Sequence, residues 1–120
     1  MTTKERKNAE ARYKLLAEYG YRTEDELAEP DWVASGQIFG VPHQGMTVYP
    51  NFQFNADGRP RSTIASAVAV HGTDRPWQLA LWFVTPNDNL AGQTPIDILV
   101  ENIDPDWVVE VAREEMETVY

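Results

Sequence analysis

The chain has 120 residues, a formal net charge of −9 and no cysteine. That length allows one domain with at most a small N-terminal subdomain, and the acidity argues against a surface-wide nucleic-acid footprint, which needs clustered Lys and Arg. Disulfides, thiolate metal sites and a cysteine nucleophile are excluded outright, while the 42% hydrophobic fraction is enough to bury a core.

Residues 4–19 predict a charged helix with Ala9, Tyr13, Leu16 and Tyr19 as its apolar stripe and Gly20 as its stop. Thr23-Glu24-Asp25-Glu26 reads as a capping box, predicting a short helix that ends by Glu29 because Pro30 disfavours helical geometry before it. Asp31 to Ser35 can add one more turn, closed by Gly36. Gln37–Val41 and Met46–Tyr49 are β-rich and are expected to pair as a hairpin around the four-residue loop Pro42–Gly45, with Pro50 ending the ladder. Phe52 and Phe54 follow as an extended arm, and Asn55–Pro60 is a turn cluster.

The remainder predicts helices. Ile64, Ala67, Val68 and His71 share a face ending at Gly72, and Asp74-Arg75-Pro76 opens the next helix. Thr94-Pro95 and Asp104-Pro105 each place a capping side chain before a proline at the first helical position. The last helix presents Trp107, Val108, Val111, Ala112 and Met116 as its apolar face. The fold class expected is mainly α with a small β-hairpin: a helical C-terminal domain over residues 55–120 behind a reduced, winged-helix-like segment over residues 1–54.

Chemistry is sparse. His43 is expected in a loop tip and His71 near a helix C-terminus, too far apart to suggest a site, and no metal-ligand spacing occurs. Ser35, Ser62 and Ser66 read as helix-end residues, and the seven glycines are dispersed and form no phosphate cradle. The run Glu114-Glu115-Met116-Glu117 reads as a solvated helix face whose carboxylates sit unfavourably near a helix C-terminus, an arrangement a basic partner would relieve. No enzyme, cofactor or metal is expected. No apolar run approaches the ~18 residues of a membrane span. The cations Lys4, Arg6 and Lys7 are not followed by an apolar stretch, so no signal peptide is read and a cytoplasmic protein is expected.

The C-terminal half resembles the toxin-binding domain of the Xre/MbcA/ParS antitoxin family. The likeness lies in an apolar helix, Trp77–Val84, then Pro86-Asn87, Leu90-Ala91-Gly92, Thr94-Pro95 with Leu99 in the short helix after it, and a final helix over Asp104–Glu117. Upstream, Gly36–Val41 looks like the family's wing hairpin, and Tyr49–Phe54 with Asp57–Pro60 resembles the segment before the domain; the likeness covers most of residues 36–113. The chain departs from the family between its first helix and hairpin, where a helix-turn-helix is often found. Residues 23–35 are too short for two helices and a turn, and Glu24, Asp25, Glu26, Glu29 and Asp31 would repel DNA.

The resemblance implies an antitoxin that binds a RES-domain, NAD-consuming toxin and blocks its active-site entrance, without a cofactor. It implies partner contacts on the final helix and tail, for which Glu114, Met116, Glu117, Val119 and Tyr120 are candidates, together with Trp82 as a core residue or an exposed anchor. Trp77, Pro86, Asn87, Leu90, Gly92, Thr94, Pro95 and Leu99 are expected to bear the fold. Self-association into a homodimer is compatible with this reading. The alternatives are a DNA-binding transcriptional regulator with a winged-helix-like N-terminus, and an adaptor for some other protein.

Overall fold

A computed structural model describes residues 2–101 and 103–117, without the side chain of Glu117. Helix α1 (Thr3–Tyr19) opens on a reciprocal capping box between Thr2 and Glu5 and ends where the Gly20 amide donates to the Leu16 carbonyl. Strand β1 (Tyr21–Thr23) and the short helix α2 (Asp31–Ala34) follow. Strands β2 (Val41–His43) and β3 (Met46–Pro50) form a hairpin, and β1 pairs with the other edge of β3. The result is a three-stranded antiparallel sheet in the order β1-β3-β2. Helices α3 (Ser62–His71), α4 (Pro76–Phe83), α5 (Pro95–Glu101) and α6 (Pro105–Glu117) complete the molecule. The protein is thus mainly helical with a small sheet, as the periodicities predict.

One core joins these layers. Leu15 and Leu16 of α1, Val41 and Val48 of the hairpin, Ile64 and Ala67 of α3, and Leu79, Ala80 and Phe83 of α4 pack with Ile96, Ile98 and Leu99 of α5 and Val108 and Val111 of α6. It draws on residues from both sides of the 55–60 turn. Helix α3 packs most extensively on α6. A smaller cluster of Leu27, Ile38, Tyr49 and Phe54 sits under α2. Rings run through the main core from Tyr19 to Phe52 to Phe83 to Trp82, with centroids 5.7, 5.6 and 5.2 Å apart in turn. Arg61 ties the two halves together: its Nε donates to the Phe52 carbonyl at 3.0 Å and its Nη1 to the Leu99 carbonyl at 3.4 Å, and burial lowers its pKa.

Local predictions change where tertiary partners intervene. Ala9 and Tyr13 are exposed rather than part of a buried stripe: Leu15, Leu16 and Tyr19 make the packed contact, and of the exposed turns before them Arg12 reaches the body, with its guanidinium 5.4 Å from the centroid of the Trp77 ring. The helix expected after Thr23 is a single 3-10 turn, Glu24–Glu26, since Tyr21–Thr23 is drawn into the sheet and Leu27 is pulled into the core. The hairpin starts later than predicted and has a two-residue turn. Val41 pairs with Val48 and His43 with Met46, with Gln44 and Gly45 both at positive φ, as tight hairpin turns require.

Gln53 explains the shift. Its side chain is fully buried, accepts from the Phe39 amide at 2.8 Å and donates to the Phe39 carbonyl at 2.9 Å, so Phe39 is paired without a strand neighbour. For the same reason Phe52 and Phe54 form no extended arm. They flank this glutamine in and beside a 3-10 turn, Asn51–Gln53, and both are buried. His43 is not a solvated loop tip; it ends β2 with its ring 5.6 Å from that of Tyr21. Ser66 lies in the middle of α3 rather than at its end.

Candidate functional site

The site is built by α4, the turn that leaves it, and the end of α6. Pro76 starts α4 at its first position, where a missing N–H costs nothing. The helix ends at Phe83, and the Thr85 hydroxyl donates back to the Leu81 carbonyl at 2.6 Å. Pro86 then prevents continuation. Asn87 caps a single 3-10 turn, Asp88–Leu90: its Oδ1 accepts from the Asn89 amide, and its carbonyl accepts from the Leu90 and Gly92 amides, each at 2.9 Å. Ala91 and Gly92, both at positive φ, reverse the chain. Leu90 is driven fully into the core and anchors the turn.

Glu115 closes this arrangement from α6. Its Oε1 accepts from Trp82 Nε1 at 3.0 Å and from Asn87 Nδ2 at 2.8 Å. Its Oε2 accepts from Asn87 Nδ2 at 3.0 Å and, weakly, from Asn89 Nδ2 at 3.5 Å. The expected solvated acidic face is therefore wrong at this residue. Glu115 falls three residues after Ala112, four after Val111 and seven after Val108, all buried, so helical geometry turns it inward. The carboxylate is held by three neutral donors. No Lys, Arg or His pairs with it among the described residues.

Two adjoining hollows meet at this carboxylate and share Trp82 and Thr85. The larger, about 550 Å³, lies between the end of α3, α4 and α6, with Gln78, Leu81 and Met116 on its walls and His71, Asp74 and Arg75 toward its far end. The smaller, about 370 Å³, lies over the 85–89 turn and includes Asp88. His71 Nδ1 lies 2.9 Å from the Gly72 carbonyl and Nε2 3.3 Å from Gln78 Oε1. Among the described residues, no group of three or more His, Asp or Glu side chains is placed to hold a metal ion. No helix there is long and apolar enough to cross a membrane.

Of the residues expected to meet a partner, Trp82 and Met116 lie together in the larger hollow, both half-buried. Glu114 is exposed beside them on α6. The Glu117 side chain, Val119 and Tyr120 lie outside the described residues. Among the fold-bearing set, Trp77, Leu90, Pro95 and Leu99 are buried, and Trp77 Nε1 donates to the Pro42 carbonyl at 2.9 Å. Thr94 Oγ1 accepts from the Asp97 amide at 3.1 Å and caps α5. Pro86 is exposed at the bend, Gly92 supplies positive φ, and Asn87 both caps and binds Glu115. Sequence reasoning missed Glu115 and Asn89; the position of Glu115 on the buried stripe of α6 was the available signal. No protein-family model, no curated protein and no solved structure matches this chain.

Proposed function

We propose that this protein is a non-catalytic antitoxin that binds a RES-type, NAD-consuming toxin through the face formed by α4, the 84–92 turn and α6, and occludes the toxin's active site. One observation carries the reading. The segment of family likeness, Pro86-Asn87 followed by Leu90-Ala91-Gly92, and the acidic final helix are joined at Glu115 beside an open two-lobed groove. Grooves lined by an aromatic anchor, aliphatic side chains and a few fixed polar groups suit protein recognition. The chain's net charge of −9 would speed encounter with a basic partner surface.

The test is co-expression with the product of the adjacent gene, scoring growth, cellular NAD and co-purification. Rescue of growth and NAD with a stable complex is expected. A neighbour that is harmless alone, or stays toxic with this chain present, overturns the reading.

A further inference from the structure

We propose that the Glu115 cleft receives one basic side chain of the bound partner, an arginine whose guanidinium pairs with the carboxylate and lies against the Trp82 indole. This rests on the partner-binding reading above and adds the chemistry of the anchor.

Three features point to a cation. First, the Glu115 carboxylate is positioned but not neutralised among the described residues: its donors there, Trp82 Nε1, Asn87 Nδ2 and Asn89 Nδ2, are all uncharged. An ion pair formed with a carboxylate already fixed in place loses less side-chain freedom than one between two mobile groups. Second, the indole that fixes the carboxylate also lines both hollows. A guanidinium is planar, weakly hydrated and stacks on indole faces, so arginine suits the position better than lysine.

Third, the charge is distributed to favour a cation at this end. The smaller hollow holds Asp88 in addition to Glu115, and none of the described residues that line it is basic. In the larger hollow Arg75 stands beside Asp74 at the start of α4, and among the described residues it forms no ion pair with Glu115. Leu81 and Met116 leave an apolar wall for the aliphatic stem of the arginine.

The probe is capped arginine, N-acetyl-arginine methylamide, titrated against the full ¹⁵N-labelled chain. Its neutral isostere, the citrulline analogue, is the control. The four tryptophan indole N–H signals are followed by NMR, and Trp82→Phe identifies the signal of Trp82. Arginine should move that signal saturably with a millimolar dissociation constant, and citrulline should bind about tenfold more weakly. Glu115→Gln, which keeps one acceptor oxygen but removes the charge, should weaken arginine binding about fivefold or more. Equal shifts from citrulline and arginine overturn the proposal; this comparison uses the unaltered chain, so it decides even if the variant fails to fold. An unchanged dissociation constant in a folded Glu115→Gln protein overturns it too. Arginine binding without rescue in co-expression would remove the toxin reading and leave the cleft. Rescue without arginine discrimination would do the reverse.

Discussion

Gln53 does at the level of one side chain what a strand would otherwise do. It satisfies both backbone groups of Phe39 and also donates to the Pro50 carbonyl at 3.2 Å, all in a fully buried position. Gln53→Leu keeps the volume but strands a buried amide and carbonyl. Each orphaned group costs roughly 1–3 kcal/mol, so a loss of about 2–4 kcal/mol is expected in urea unfolding. A change below about 0.5 kcal/mol would mean that Phe39 finds another partner. Glu26 makes a gentler, exposed contribution. Its carboxylate accepts from the Thr23 amide at 2.9 Å and the Thr23 hydroxyl at 3.0 Å, and these bonds hold its pKa below the usual value. A depressed folded pKa means that its stabilisation is complete above the unfolded pKa and is lost as pH falls through the lower folded value. The Thr23 amide resonance should therefore titrate below the ordinary glutamate range, and Glu26→Gln should abolish that titration.

Helix α1 divides into two parts with different energetics. Thr3–Lys14 is exposed throughout, about 18 Å of helix supported by its capping box, by Arg12 over the Trp77 ring and by its continuity with the docked part, whereas Leu15 and Leu16 are buried. Isolated helices of that length are marginal in water, so the free portion should open locally. Amide exchange is expected to be fast through residues 3–10, which precede the Arg12 contact, and slowed from Leu16 onward. Removing residues 1–10 should change global stability by less than about 1 kcal/mol, while Leu16→Ala should cost about 2–5 kcal/mol in chemical denaturation. Comparable losses from both changes would show that the projecting turns dock on the body. At the other end of the chain, α6 and the turn after α4 form one unit: Asp104 caps the helix through the Trp107 amide at 3.2 Å, and Glu115 pins the turn.

At the scale of the molecule, the continuity of the core governs behaviour. Residues on both sides of the 55–60 turn belong to a single buried cluster, and Arg61 bridges it by hydrogen bonds to Phe52 and Leu99. The protein should therefore unfold in one cooperative step. Tryptophan fluorescence, which reads Trp32 on the small cluster of Leu27, Ile38, Tyr49 and Phe54 and Trp77, Trp82 and Trp107 on the main core, should give the same urea midpoint as far-UV circular dichroism. Two separated transitions would show that the N-terminal half is an independent unit.

Local chemistry alone determined much of this architecture. Periodicity located the helices, Thr94-Pro95 and Asp104-Pro105 marked their starts, and Gly20 and Gly72 marked their ends, because caps and stops act within a few residues of chain. The same local rules gave Asn87 its turn, whereas Trp82 and Met116 became candidates only through the resemblance. Tertiary structure decided what depends on distant partners. The third strand exists because Tyr21–Thr23 meets β3, Phe39 leaves the hairpin because Gln53 occupies its backbone, and Phe52 and Phe54 turn inward beside it. The centre of the candidate site is of this kind. Glu115 reads as one carboxylate in an acidic run until α6 packs against α4 and brings it within hydrogen-bonding distance of Trp82 and Asn87, 33 and 28 residues away in sequence.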